Sequence, residues 1–167
     1  SYLMLTMLLI GSAFIPNDMI KKNMISSADV LCERRVFFEL ARKVPASRVD
    51  RYADSILLNI AYNYDIDDPL RSVMISEYYY TEYQNENDNL RDAVTKGLEP
   101  TLQYLRYWHG PAAFVRIAHV FTNIRGMYII NAVAGVALYG VLTFILLKHR
   151  LYKGAIALWV SLIAVAI

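Results

Sequence analysis

Residues 127–147 read MYIINAVAGVALYGVLTFILL, an unbroken run of 21 residues without a charged side chain. Arg125 precedes the run, and Lys148, His149 and Arg150 follow it. About 20 apolar residues in helical conformation cross the roughly 30 Å hydrocarbon core of a bilayer. A core helix of a water-soluble protein is usually shorter and is interrupted by polar positions. The run therefore predicts a transmembrane helix.

Two further apolar segments lie at 1–15, SYLMLTMLLIGSAFI, and at 154–167, GAIALWVSLIAVAI. Each is too short to span a bilayer comfortably. We therefore expect a polytopic membrane protein fragment with three transmembrane helices, of which the first and the third are truncated. A signal peptide is the alternative for 1–15, since its apolar core has roughly 7 to 15 residues. The basic segment that should precede such a core is absent.

The orientation follows from the basic turn at 148–153, which carries three Lys or Arg residues. Short loops rich in Lys and Arg stay on the cytoplasmic side. Residues 16–126 would then be extracytoplasmic, in a multi-pass protein of the cell (cytoplasmic) membrane. Lys21 and Lys22 favour the opposite orientation, but a long loop translocates largely regardless of its charge.

The composition excludes several classes of function. Lys and Arg number 17 against 15 Asp and Glu, without a basic cluster, which argues against a nucleic-acid-binding surface. Cys32 is the single cysteine, so no internal disulfide can form. Phosphate-binding glycine loops, H-E-x-x-H and C-x-x-C are absent. The histidines are widely spaced, so no metal site or cofactor is identifiable, and a divalent cation is left open.

The segment 16–110 predicts an all-α extracytoplasmic domain of short helices. The expected helix starts are Ser26 or Ser27, Ser47, Asp68, residue 87 or 88, and Thr101. The expected ends include Pro45, Gly97 and Gly110, because proline and glycine stop helices. The segment 111–126 follows, and its Phe114, Ile117, Ala118 and Phe121 share one side with Arg116 and His119 among them. That pattern favours an interfacial helix lying on the membrane.

Two acids, Asp50 and Asp54, fall within about 40° of each other on the helix expected from Ser47. Four apolar-side residues share that sector: Ala53, Leu57, Ala61 and Tyr64. A carboxylate is costly there unless it has a partner. Asp50 has a structural explanation as part of a capping box with Ser47. Asp54 is open to three interpretations: an ion pair with Arg106 or Arg51, a functional carboxylate that binds a cation or acts as a base, or simple exposure.

Tyrosines and acids are concentrated between residues 65 and 99, with nine acids, three basic residues and four tyrosines. Such a surface can stack on sugars and hydrogen-bond with them. It can equally be a solvated helical surface whose tyrosines lie at headgroup level.

A second cluster, Arg106, Trp108 and His109, has two interpretations. One is an aromatic belt with an arginine that extends towards the headgroups. The other is a site for an anionic lipid headgroup, with Arg106 on a phosphate and His109 exchanging a proton near neutral pH.

The segments DRYADSILLN at 50–59 and RYWHG at 106–110 resemble a family of uncharacterised bacterial polytopic membrane proteins. Members of that family carry D-N-x-T-D-x-x-M-L-N and R-Y-W-H-G segments in one large extracytoplasmic loop. The chain departs from the pattern at Arg51, where the family usually has Asn, and at Pro111, where it often has Tyr. The resemblance implies no activity.

The expected order of spans and loops also resembles the N-terminal part of GT-C-type glycosyltransferases. This resemblance implies a lipid-phosphate sugar donor, such as a polyprenyl-phosphate sugar, and a glycan acceptor on the extracytoplasmic side. It also implies a general base that often lies just after the first span, where this chain has Asp18. Asp54, Asp50 and Asp18 are thus the candidate bases, and Arg106, Trp108 and His109 the candidate donor-binding residues. The alternative is a non-catalytic envelope protein whose outer helical domain binds a partner or a glycan.

Overall fold

A computed structural model describes residues 2–39, 47–105 and 109–166 of the chain. These residues form eight helices: α1 Tyr2–Ala13, α2 Asn17–Cys32, α3 Tyr52–Tyr62, α4 Pro69–Ile75, α5 Glu86–Lys96, α6 Pro111–His119, α7 Ile124–Lys148 and α8 Tyr152–Ala166. They also form four strands: β1 Phe37–Glu39, β2 Arg48–Asp50, β3 Glu77–Tyr78 and β4 Leu102–Gln103. Because the strands have only two or three residues, the described part of the chain is mostly helical, as predicted.

The chain divides into two compact units. The first comprises the described residues up to Phe37 together with 50–125, and the second comprises 38–39, 47–49 and 126–166. In the first unit α3 packs against α5 and α6, α2 packs against α5, and α1 packs against α6 and α4. The core side chains of this unit include Leu9, Ile20, Met24, Leu31, Leu58, Ile60, Leu90 and Val94.

Helix α2 begins nine residues before the predicted start at Ser26 or Ser27. The buried side chains Ile20, Met24 and Leu31 lie on one side of a single helix, and that stripe already begins in the first turn. Ser27 is therefore buried in the middle of the helix instead of capping it. The predicted continuation towards Pro45 is also wrong over its described part, because the helix ends at Cys32.

The expected helix start at Ser47 is replaced by the pairing of β1 with β2. Val36, Phe37 and Phe38 are β-branched or aromatic residues, which favour extended conformation when a partner strand is present. Helix α3 begins only at Tyr52, and its buried side is formed by Ile56, Asn59 and Ile60.

The predicted apolar sector of this helix is confirmed only in part. Ala61 and Tyr64 are buried, whereas Ala53 is exposed and Leu57 is half-buried. Asp50 is exposed before the helix, and Asp54 is half-buried in its first turn.

Local capping signals predicted the start of α4 and the end of α5, whereas α5 begins at Glu86, one or two residues before the predicted start at residue 87 or 88. The Asp68 side chain accepts a hydrogen bond from the Arg71 N–H at the start of α4, with Pro69 at the first helical position. Asn85 caps α5 in the same way, and Gly97 ends it in the left-handed conformation with φ +64°. Pro111 begins α6, also as predicted.

The helix expected from Thr101 is replaced by strand β4. Glu77 pairs with Gln103 and Tyr78 with Leu102 in an antiparallel register. The Thr101 hydroxyl donates to the Tyr80 carbonyl at 2.7 Å and accepts from its N–H at 2.9 Å. These partners lie more than twenty residues away, so the local sequence could not reveal the extended conformation.

The second unit contains most of α7 and all of α8. Leu151 N–H donates to the Leu146 carbonyl in the turn, where Arg150 adopts the left-handed conformation with φ 57°. The Trp159 indole N–H donates to the Thr143 hydroxyl at 3.0 Å, and its ring packs at 6.2 Å from that of Tyr139. These contacts join α7 and α8 as a helical hairpin.

The prediction of three spanning helices is corrected to one helix of spanning length within the described residues. That helix is α7, which has 25 residues and contains the whole run 127–147. Helix α1 has 12 residues and bends by 94° into α2 at the break before Asn17, and α8 has 15 residues. Length and composition make α7 a membrane-span candidate, and its most apolar 18-residue window has no buried residue.

Candidate functional site

A cavity of about 420 Å³ opens in the first unit, between the start of α2, the end of α3, helix α4 and the loop after α5. Its lining residues are Asn17, Tyr62, Asn63, Tyr64, Asp65, Asp68, Arg71, Ser72, Ile75, Glu77, Gly97, Leu98, Glu99 and Pro100. Four carboxylates and one guanidinium thus stand beside two tyrosines and two asparagines. Carboxylates and amides accept hydrogen bonds from hydroxyl groups, and aromatic rings offer a flat apolar surface.

The acidic wall is built by the turn between α3 and α4. The Asp65 carboxylate accepts from the Asp67 N–H at 2.9 Å, and the Asp65 N–H donates to the Ser72 hydroxyl at 2.8 Å. Asp68 caps α4 at its Arg71 N–H. Because these bonds use backbone groups of the turn, both carboxylates are held in place before any ligand is bound.

The aromatic wall is formed by the last residues of α3 and those just after it. Burial raises the pKa of the Tyr62 phenol, and the charge of Asp18 raises it further. Asp18 is exposed in the first turn of α2, next to Asn17 in the cavity lining. Burial likewise raises the pKa of Tyr64 to about 12, although the nearby Arg116 acts in the opposite direction.

Arg116 lies behind the aromatic wall and is fully buried. Its Nε donates to the Ser12 carbonyl at 2.9 Å, and its two Nη atoms donate to the carbonyls of Ile15 and Ala61. Its guanidinium carbon lies 5.7 Å from the centre of the Tyr64 ring. Burial lowers the pKa of Arg116 to about 10, so the side chain stays charged at neutral pH.

The carbonyl partners of Arg116 lie at or just beyond the carboxyl ends of α1 and α3, where helix dipoles concentrate negative charge. Sequence reasoning placed Arg116 in an interfacial helix and missed this role. The one available signal was a charged residue in the middle of the apolar segment PAAFVRIAH at 111–119.

His119 is fully buried and pairs with Ser27 of α2. Its Nδ1–H donates to the Val115 carbonyl at 2.7 Å, so Nε2 of the neutral ring can accept from the Ser27 hydroxyl at 2.9 Å. Ser27 Oγ also accepts from the Ile124 N–H at 2.8 Å, and its single hydroxyl proton is shared between Nε2 of His119 and the Asn23 carbonyl, to which it donates at 2.8 Å. The pair resembles the base and nucleophile of a hydrolase. Because both side chains are fully buried, the network serves to fasten the first turn of α7 to α2.

His109 is nine-tenths buried, and its ring packs edge-on against Tyr104 at 5.0 Å. Its Nε2 is buried without a hydrogen-bond partner among the described residues. Burial lowers the pKa of His109 more than its hydrogen bond with the Tyr104 backbone raises it. Arg106 and Trp108 lie outside the described residues, so the predicted grouping of the three side chains stays a prediction.

The three candidate bases occupy separate places. Asp50 is exposed, and its carboxylate accepts from the N–H groups of Tyr52 and Ala53 at 2.8 and 3.4 Å, so it caps α3. It does so directly, without the predicted capping box from Ser47. Asp54 is half-buried in the first turn of α3. Of the three, Asp18 has a lining residue of the cavity as its neighbour in the chain.

Within the described ranges, no group of three or more His, Cys, Asp and Glu side chains is arranged to hold a metal ion. Of the carboxylates that line the cavity, Asp65 and Asp68 are bonded within the turn, and Glu77 accepts from the Gln103 amide at 3.1 Å. The side chains that line the cavity can form hydrogen bonds with hydroxyl groups. A further carboxylate, that of Asp18, follows the lining residue Asn17 in the chain.

Comparison of the chain with protein-family models, with curated proteins and with solved structures finds no match. The resemblance carried by residues 50–59 and 106–110 stays a prediction, and the function must be argued from the site itself.

Proposed function

We propose that the chain belongs to an integral membrane protein that transfers a sugar on the extracytoplasmic side of the cytoplasmic membrane, in the manner of a GT-C-type glycosyltransferase. The cavity would receive the glycan acceptor, and a lipid-phosphate sugar would be the donor. The observation that carries the proposal is the position of Asp18. It lies directly after a residue of the cavity wall, and its charge acts on the phenol of Tyr62 in the same wall.

Asp18 has the role of general base, which removes the proton of the acceptor hydroxyl as that oxygen attacks the sugar. A base must come within hydrogen-bond distance of the proton that it removes. Asp18 is exposed, and the proposal requires its carboxylate to reach a hydroxyl held between Asn17 and Tyr62. Asp50 fits the role less well because its carboxylate already caps α3, and Asp54 is a reserve candidate on the same helix.

The cavity is strongly acidic, so the donor phosphate has to bind elsewhere. The sequence offers Arg106, with Trp108 and His109, for that purpose. His109 supports this assignment in one respect: its buried Nε2 has no hydrogen-bond partner among the described residues. A phosphate bound there would also raise the pKa of the imidazole, since a nearby anion favours the charged ring.

A second candidate function is non-catalytic binding of a glycan in the same cavity. Two observations favour it: Asp65 and Asp68 are already engaged in turns, and two asparagines and two tyrosines line the space. Such a wall can bind sugar hydroxyls without performing chemistry on them.

The two functions are separated by Asp18→Asn in the membrane-embedded protein, with Asp50→Asn as the matched control. Transfer of labelled sugar from a polyprenyl-phosphate donor and binding of the acceptor glycan are measured together. General-base catalysis contributes about 10²- to 10⁴-fold, so Asp18→Asn should lose transfer by that factor and keep binding. Transfer within a few-fold of the parent protein would exclude Asp18 as the base. Glycan binding without transfer by the parent protein would establish the second function.

A further inference from the structure

Helices α1 and α6 pack against each other in the first unit and together expose an apolar surface, here called the α1–α6 surface. The side chains that form it are Leu3, Met4, Met7, Leu8 and Phe14 from α1 and the residues after it, and Phe114, Ile117 and Phe121 from α6 and the residues after it. Met7 is 61% exposed and Phe114 is 59% exposed. Exposed apolar side chains on two helices that pack against each other are typical of an interaction site or a membrane contact.

The α1–α6 surface has no charged residue within α1, since the first charged side chain of the chain is Asp18. Other helices of the same unit differ. Helix α5, for example, exposes Arg91 and Lys96 to solvent. Helices α2 and α4 also expose apolar side chains, at Met19, Leu70 and Met74. Among the described residues of this unit, α1 exposes the largest set, which is Leu3, Met4, Leu5, Met7 and Leu8.

The polar residues of α6 face the interior. Arg116 and His119 are fully buried and bind backbone carbonyls and Ser27, whereas Phe114 and Ile117 face outward. The apolar residues Ala112, Ala113 and Val115 are buried beside them, so α6 carries apolar side chains on both its inner and its outer side. This suits a helix whose outer side contacts hydrocarbon, because the buried donors of Arg116 and His119 are satisfied within the protein.

The chain leads directly from this surface into α7. Only Val120 to Asn123 separate α6 from α7, and the first residues of α7, Ile124 and Arg125, belong to the same unit. Ile124 is buried, and its N–H is bound by Ser27. Residues 124–125, which lie shortly before the uncharged run 127–147 in the chain, therefore belong to the unit that carries the α1–α6 surface. The basic residues Lys21 and Lys22 follow α1 in α2, where they can meet lipid phosphates.

We propose that the α1–α6 surface is embedded in the acyl-chain region of the bilayer, so that the first unit is itself a membrane-bound body and not a domain suspended from α7 in water. This inference goes beyond the proposed function, because it holds whether or not the cavity is catalytic. It uses the membrane assignment of α7 only as the point at which the chain enters the bilayer.

The test uses single spin labels at Met7→Cys and Phe114→Cys in the Cys32→Ser background, with the protein in vesicles of phosphatidylethanolamine and phosphatidylglycerol. Phe144→Cys in α7 is the reference for lipid, and Arg91→Cys in α5 is the reference for water. Collisions with oxygen, which concentrates in lipid, and with a neutral nickel chelate, which stays in water, are compared. The oxygen-to-nickel ratio at Met7 and Phe114 should match that at Phe144 and exceed that at Arg91 about tenfold.

Two outcomes would overturn the proposal. A ratio equal to that at Arg91 would place the surface in water. Low collision rates with both reagents and an immobilised spectrum would mean that a protein segment or a second copy covers it. If Cys32→Ser does not fold, Phe114→Trp in the parent chain replaces the labels. The fluorescence that the new tryptophan adds to the parent signal is then measured. Quenching of this fluorescence by lipids brominated on their acyl chains supports embedding of the α1–α6 surface, and the absence of quenching overturns the proposal.

Discussion

The guanidinium of Arg116 donates a hydrogen bond of 2.9 Å to the backbone carbonyl of Ser12, which lies 104 positions earlier in the chain. Further bonds from the same group reach the carbonyls of Ile15 and Ala61. One buried cation thus joins the carboxyl ends of α1 and α3 through a residue of α6. The position of the α1–α2 bend, and with it Asp18 at the edge of the cavity, depends on this joint.

Arg116→Met should therefore destabilise the first unit strongly. The substitution keeps much of the side-chain volume but removes the Arg116 donors from the carbonyls of Ile15 and Ala61, at about 1 to 3 kcal/mol for each group, whereas the Ser12 carbonyl keeps the Ile15 N–H as a donor. We expect a loss of at least about 2 kcal/mol in the free energy of unfolding, measured by denaturant titration in detergent micelles. Arg91→Met is the matched control, because Arg91 is exposed and its ion pair with Asp88 is worth less than about 1 kcal/mol. Equal losses for the two variants would refute the role of Arg116.

The buried His119 makes stability depend on pH. Burial holds the pKa of its folded-state imidazole below the unfolded value of about 6.5, so the unfolded chain binds the proton more tightly. Its contribution to stability is complete above pH 6.5 and is lost as pH falls through the folded pKa, with a slope of at most about 1.4 kcal/mol per pH unit. His109, whose pKa is also lowered, acts in the same direction.

His119→Gln should lower stability at pH 7.5 and also flatten the decline between pH 6.5 and pH 5. Denaturant titrations at both pH values measure the two effects separately. His149→Gln, in the turn after α7, is the control and should leave the decline as it is. An unchanged decline in His119→Gln would show that other groups cause it.

Gly97 ends α5 in the left-handed conformation, with φ +64°, and also lines the cavity. Any other residue in this backbone conformation would be strained. Gly97→Ala should cost about 1 kcal/mol because an L residue in the left-handed region is disfavoured. Gly11→Ala is the matched control, since Gly11 lies within α1 and a Cβ there meets nothing within 4 Å. Alanine is favoured over glycine in a helix, so thermal unfolding should show the control unchanged or slightly stabilised.

Cys32 should react slowly with iodoacetamide in the folded protein. Burial raises the pKa of its thiol from 9.0 to about 11. The positive charge of Arg91 lowers this pKa, and the negative charges of Asp88 and Asp29 raise it. The thiolate is the reactive form, so the alkylation rate at pH 7.5 should be about a hundredfold below that of a free thiol. Unfolding in detergent and urea should restore the rate. Alkylation of the folded protein at the rate of a free thiol would contradict the predicted environment.

The sequence by itself determined the features that arise from neighbouring residues. The run 127–147 predicted α7 because hydrocarbon requires an uncharged helix of that length. Asp68 with Pro69, Gly97 and Pro111 predicted helix ends correctly, because a cap or a stop is formed within one turn of the chain. Asp18 was named as a candidate base, although only through a resemblance.

Tertiary structure decided what depends on distant partners. Thr101 is extended because it forms hydrogen bonds with Tyr80. Ser27 is a buried link because it forms hydrogen bonds with His119 and Ile124. The cavity is lined by segments that are separate in the sequence. Arg116 was expected among the apolar side of an interfacial helix, and it is instead a buried link between helix ends. A buried polar group must find its hydrogen-bond partner wherever the fold supplies one, and in this chain those partners lie roughly 20 to 100 positions away, beyond the reach of any local pattern.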